Sequence, residues 1–96
     1  MDQDRKTAEI SKVLGVDTRI KIIRLLGRRC LCVGELAEEL GITAGAVSQH
    51  LRILRAAGAV HSEKRGYFVD YCLNEDVLRS WKSQIDSLFE PEAASK

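Results

Sequence analysis

Three cysteines, Cys30, Cys32 and Cys72, have the widest chemical reach of any residues in this chain. Thiolates are soft ligands for zinc, cadmium, lead or trivalent arsenic, and neighbouring thiols also serve as redox or persulfide switches. Residues two apart diverge by about 200° on a helix but point to the same side of an extended strand. Cys30 and Cys32 can therefore share a ligand only if the piece CLCV is extended. An odd number of cysteines suits free thiols, metal ligands or a switchable pair better than a structural disulfide framework. A second set of residues suits nucleic acid. Ser48 and Gln49 can read base edges, Arg52 can read guanine or grip phosphate, and Lys64 and Arg65 precede a glycine at what reads as a hairpin tip.

The elements that would position these side chains begin at VGELAEELGITAGAVSQHLRILRAAGAV, residues 33–60. Leu36, Ala37 and Leu40 share one helical face, with Glu35, Glu38 and Glu39 opposite. Gly41 stops that helix, Thr43 caps the next, and the turn between them is about three residues. In the second helix Val47, Leu51 and Leu54 form an apolar stripe, while Ala44, Ser48, Gln49 and Arg52 lie off it. Small residues at Ala44, Gly45 and Ala46 let the helix start approach a groove wall. The plain alternative is an ordinary helical hairpin in a helical core. Residues 60–73 alternate around Gly66 and read as a β-hairpin with a basic tip, and a helix-turn-helix followed by such a hairpin is a winged helix.

The words SQHLRILRAAGAV and EKRGYFVDYCLN, with DTRIKIIRLL further back, resemble the ArsR/SmtB family of small winged-helix repressors over about residues 8–90. The resemblance implies a mainly α fold of about five helices with a small β-hairpin wing. It also implies a homodimer that holds double-stranded operator DNA until a metal, metalloid or redox signal releases it. The family's arsenic and cadmium sensors carry Cys-Val-Cys-Asp-Leu at the entry to the helix before the turn. Matching Asp-Leu to Glu35-Leu36 carries over Cys32 alone, because the second thiol falls on Gly34. The family's carboxylate and histidine site on the last helix has no counterpart either, since no His follows Asn74. His50 and His61 fall in the reader helix and the wing, as structural or DNA-contacting residues.

With 96 residues, 45% of them hydrophobic, and a single proline, the chain has room for one compact domain. It has no apolar run long enough for a membrane span, and its polar start is unlike a signal peptide, so a cytoplasmic setting is expected. Net charge is +1 overall, but residues 17–65 hold nine bases against five acids, and the flanks are neutral or acidic. The segment with the reading motif is the basic one, as a phosphate-facing surface requires.

The flanks complete the expected domain of residues 7–90, between a disordered terminus at 1–6 and a tail at 91–96. Residues 7–14 read as a short helix closed by Gly15, and Asp17 as the cap of a helix that turns Ile20, Ile23 and Leu26 or Leu25 inward. Asn74 caps a last helix from Glu75 to Phe89, stopped by Pro91. Its Leu78, Trp81, Ile85 and Leu88 step by three and four, the seam of helices lying side by side. Those residues, with Ile10 and Leu14, are the expected dimer interface; a helix folded back on its own domain is the alternative.

Three readings of the thiols stay open: one inducer site of Cys30, Cys32 and Cys72 for trivalent arsenic or a soft divalent metal, a redox or persulfide switch, or inert packing. DNA binding itself requires no cofactor in any of them. The DNA contacts expected are Thr43, Ala44, Ser48, Gln49, His50, Arg52, Lys64 and Arg65. Catalysis has no support, for there is no phosphate loop, nucleophile elbow or paired-acid cleft. A winged-helix protein-interaction module is the competing function, disfavoured by the basic tip and the uncharged helix entrance.

Overall fold

The computed structural model describes residues 2–90. Its elements run α1 (Asp2–Leu14), α2 (Asp17–Leu26), β1 (Leu31–Cys32), α3 (Val33–Leu40), α4 (Ala44–Ala56), β2 (Val60–Arg65), β3 (Phe68–Leu73) and α5 (Glu75–Phe89). The three strands form one antiparallel sheet in the order β1-β3-β2, so the wing hairpin is extended by the short strand that leads into α3.

The core is where the α3 and α4 stripes meet α2 and the sheet. Leu36, Val47 and Leu54 are wholly buried, and Leu51, Leu26, Leu31 and Val60 nearly so, with no polar residue among the buried ones described. The turn joining α3 to α4 has the expected chemistry. Gly41 takes φ +67°, a left-handed conformation that costs a glycine little, and the Thr43 hydroxyl accepts from the Ala46 N–H at 3.1 Å. Three residues separate the two helices. At the wing tip Gly66, φ +63°, is the first of two turn residues, the place where a twisted hairpin needs glycine.

Three expectations are corrected. Residues 2–6, assigned to a disordered terminus, belong to α1. Asp2 and Asp4 in its first turn oppose the helix dipole, and the helix packs along α5. The tail at 91–96 and the stop at Pro91 lie outside the described residues. The N-cap of α2 is Val16, with Asp17 the first helical residue, and α2 buries Ile22 and Leu26 while Ile20 stays 41% exposed. The run IKIIRLL contains two overlapping stripes, and packing against α4 and β3 selects one of them.

Candidate nucleic-acid interface and thiol cluster

Burying Val47, Leu51 and Leu54 turns the opposite side of α4 to solvent. Thr43, Ala44, Ser48, Gln49 and Arg52 are all exposed there. An open cleft of about 590 Å³ runs between this helix and the wing, lined by Ser48, Leu51, Arg52, Arg55, Ala56 and Tyr71. Arg55 was not among the expected contacts, although its spacing of three from Arg52 puts both on one face. His50 departs from the expected set. Its ring is half-buried, and Nδ1 accepts from Arg19 Nε at 3.4 Å, which ties it to α2.

The two basic residues of the wing tip differ sharply. By strand alternation Lys64 lies on the same face as Tyr71, beside the cleft, whereas Arg65 lies on the other face. The Arg65 guanidinium donates to both oxygens of Asp70, at 2.7 and 3.1 Å, and sits 5.3 Å from the centre of the Phe68 ring. This bidentate pair holds the Asp70 carboxyl below the usual carboxylate range and raises Arg65 further. Lys64 has no ion-pair partner among the described residues. Of the two, Lys64 is the cation with no carboxylate held against it among the described residues.

The thiols do not converge as a trio. In β1 against β3, Leu31 faces Tyr71 and Cys32 faces Asp70, so the next pair outward is Cys30 with Cys72. Those two form a disulfide with Cα atoms 4.5 Å apart, and Cys32 is the free thiol. Cys30 and Cys32 do share a side of the strand, as expected. They sit two residues apart, roughly 6 to 7 Å along the strand, so Cys72 lies across from only one of them. Cys32 meets carboxylates instead: its thiol, Glu35 and Asp70 have donor atoms within 4.8 Å of one another. Both acids are already engaged. Glu35 accepts from the Cys32 N–H at 3.0 Å, which is the main reason its pKa is lowered, and it also lies 3.6 Å from Arg29. A Cβ placed on Gly34 would stand 4.0 Å from the Cys32 sulfur, so the site of the resembled family's second thiol is spatially adjacent but bare. One thiol beside two occupied carboxylates does not fit trivalent arsenic.

At the other end of the molecule, α1 lies along α5, with Thr7 Oγ1 donating to Gln84 Oε1 at 3.5 Å. Of the expected interface residues, Ile10 is already buried within its own chain, in a cleft shared with Trp81. Leu14, Leu78, Trp81 and Ile85 are half-buried, while Leu88 is 60% and Phe89 77% exposed. No residue of α5 is fully buried. Among the described residues, no helix is long and apolar enough to cross a membrane.

Comparison with known proteins gives a consistent picture. Residues 16–62 match the family model described as bacterial regulatory protein, arsR family. An uncharacterized HTH-type transcriptional regulator of Methanocaldococcus jannaschii is 34% identical over 92% of this chain and 100% of its own. Among solved structures, a possible transcriptional regulator for arsenical resistance superimposes with TM-score 0.77 at 32% identity, over 83% of each chain. The homodimeric winged helix-turn-helix DNA-binding domain of a possible ArsR-family regulator from Mycobacterium bovis gives 0.71 at 27% identity, over 90% of this chain and 79% of that one.

Proposed function

Since this chain belongs to the arsR family of bacterial regulatory proteins, and is thus a transcriptional regulator rather than an enzyme, we propose that it acts as a homodimeric repressor of a two-fold operator. The observation that carries this reading is the exposed outer face of α4, capped by Thr43 and left open beside a wing that offers Lys64. Ser48 and Gln49 read base edges, Arg52 and Arg55 hold phosphate or guanine, and Lys64 grips the neighbouring backbone. DNA binding needs no cofactor, and the work is done in the cytoplasm.

Dimerisation follows from α5. A helix with Leu78, Trp81, Ile85 and Leu88 on one seam and no buried residue is completed by a second copy, and the similar M. bovis domain is a homodimer. The long axis supports this: the chain measures 57 × 22 × 21 Å with a radius of gyration of 15.4 Å, against about 12 to 13 Å for a compact chain of this length.

Release from DNA is thiol-directed. The resemblance to arsenic and cadmium sensors points to trivalent arsenic or a soft divalent metal, and without three convergent thiols the divalent metal is the better fit. The pairing of Cys30 with Cys72 favours a signal acting on that dithiol, an oxidant included, over one held by all three cysteines. Either signal acts where the segment entering α3 meets the wing.

The test is binding of the reduced protein to DNA upstream of its own gene over a range of salt. Gln49→Ala is expected to relax preference at one or two base pairs, costing about 1 to 3 kcal/mol. Binding indifferent to both sequence and salt would return the chain to the class of protein-interaction modules.

A further inference from the structure

The outer face of the wing sheet carries a row of side chains of which the reading above uses only the Cys30–Cys72 pair. Strand register places Cys30, Cys72 and His61 side by side on β1's leading segment, β3 and β2, because His61 pairs with Cys72 as Cys72 pairs with Cys30. Glu63, two residues after His61, lies on the same face. The donor atoms of His61, Glu63 and Cys72 all fall within 4.8 Å of one another, and His61 Nδ1 is 3.8 Å from Glu63 Oε2. The Cys30 sulfur adjoins that of Cys72.

We infer that the reduced chain binds one divalent transition-metal ion at Cys30, Cys72, His61 and Glu63. Two sulfurs, an imidazole nitrogen and a carboxylate oxygen are the mixed, borderline-soft set that suits zinc, cobalt or nickel, in the four-coordinate number that zinc and cobalt adopt. Trivalent arsenic, which wants three sulfurs, is poorly served. Cys32 is outside the site, facing Asp70 in the next row. Cys30, His61 and Glu63 are exposed, so an ion reaches the buried Cys72 sulfur from solvent.

The ion and the disulfide are mutually exclusive. A dithiol reductant transfers two electrons and two protons to the Cys30–Cys72 bond, leaving two thiols and its own disulfide. Coordination then releases both thiol protons. The occupied site joins the entry to α3 to both wing strands, so for a chain that is an operator-binding regulator, as proposed above, the ion is the signal that alters DNA affinity. This last step rests on that reading; the metal site does not.

The experiment titrates the full chain, reduced and under anaerobic conditions, with Co(II) and then Zn(II), following thiolate-to-cobalt charge-transfer and ligand-field absorption. One ion per chain is expected, with none bound after oxidation. His61→Ala, whose side chain is 46% exposed and removable without loss of fold, is expected to weaken binding at least tenfold. Cys32→Ser is expected to bind within twofold of wild type. Loss of the ion in Cys32→Ser with retention in His61→Ala would move the site to the start of α3 and overturn the inference, as would the absence of any stoichiometric ion. Operator affinity, followed by anisotropy on the same samples, separates the two readings. An ion bound by a chain that prefers no DNA sequence would leave the site standing and sink the repressor. A sequence-specific chain that takes up no ion would do the reverse.

Discussion

Helices α4 and α5 carry similar apolar stripes, yet the fold treats them in opposite ways. Val47, Leu51 and Leu54 of α4 are buried to 2% exposure or less, whereas α5, with its step of three and four from Leu78 to Leu88, buries nothing completely. A stripe satisfied inside the chain frees the opposite face for a ligand. An unsatisfied stripe makes a ligand of the chain itself. In the proposed function, the division of labour between reading and pairing is thus set by which stripe the sheet and α2 can reach, not by the stripes.

The contrast can be broken most forcefully at α5. Trp81→Glu combined with Ile85→Glu is expected to give monomers by sedimentation that keep most of their helical signal. They should lose operator affinity by roughly 10² to 10⁴, the advantage of two linked readers. A double variant that still sediments as a dimer would place the interface elsewhere.

At α4 the loss should appear in stability instead. Leu51→Ala removes a nearly fully buried side chain and is expected to cost about 2 to 5 kcal/mol in urea unfolding. Leu88→Ala, made in the monomeric background, should stay within about 0.5 kcal/mol. Similar costs at the two positions would mean that Leu88, 60% exposed here, is packed within its own chain in solution.

A finer comparison sets Lys64 against Arg65. Lys64→Ala is expected to reduce the slope of log affinity against log salt by about one, the yield of one phosphate contact. Arg65→Ala should change it by less than half as much, since its guanidinium is held by Asp70. Equal slopes would show that the ion pair opens on DNA.

The smallest effect is on acid stability. Glu35 and Asp70 both have lowered pKa values in the folded chain, so each contributes stability above its unfolded pKa, and that contribution is lost as pH falls through the folded value. Thermal scans should show a modest decline that begins as pH falls through the ordinary carboxylate range and levels off below the lowered folded values. Glu35→Gln and Asp70→Asn should each flatten it, and an unchanged acid limb in both variants would dissociate the two bonds from stability.

What was legible in the sequence is what local chemistry decides. Gly41, Thr43, Asn74 and the α4 stripe announce themselves within a few residues, and each acts as read: Gly41 is left-handed, Thr43 accepts from Ala46, and Asn74 accepts from Val77 at 3.4 Å. What escaped depends on pairing between distant segments. Cys30, not Cys32, meets Cys72 because β1 pairs with β3 in one register, and a shift by two residues would exchange them. His61 joins the thiols only through the hairpin register, which no local window contains. The choice of Ile22 over Ile20 likewise comes from packing against elements far along the chain.

The chain's one tryptophan and its two tyrosines belong to different elements. Trp81 sits half-buried where α1 crosses α5, and Tyr67 and Tyr71 both belong to the wing. Indole emission therefore reports on the terminal helices, and phenol absorption on the wing. Dilution should alter the first and operator DNA the second, so that assembly and reading can be timed separately in a single unlabelled sample.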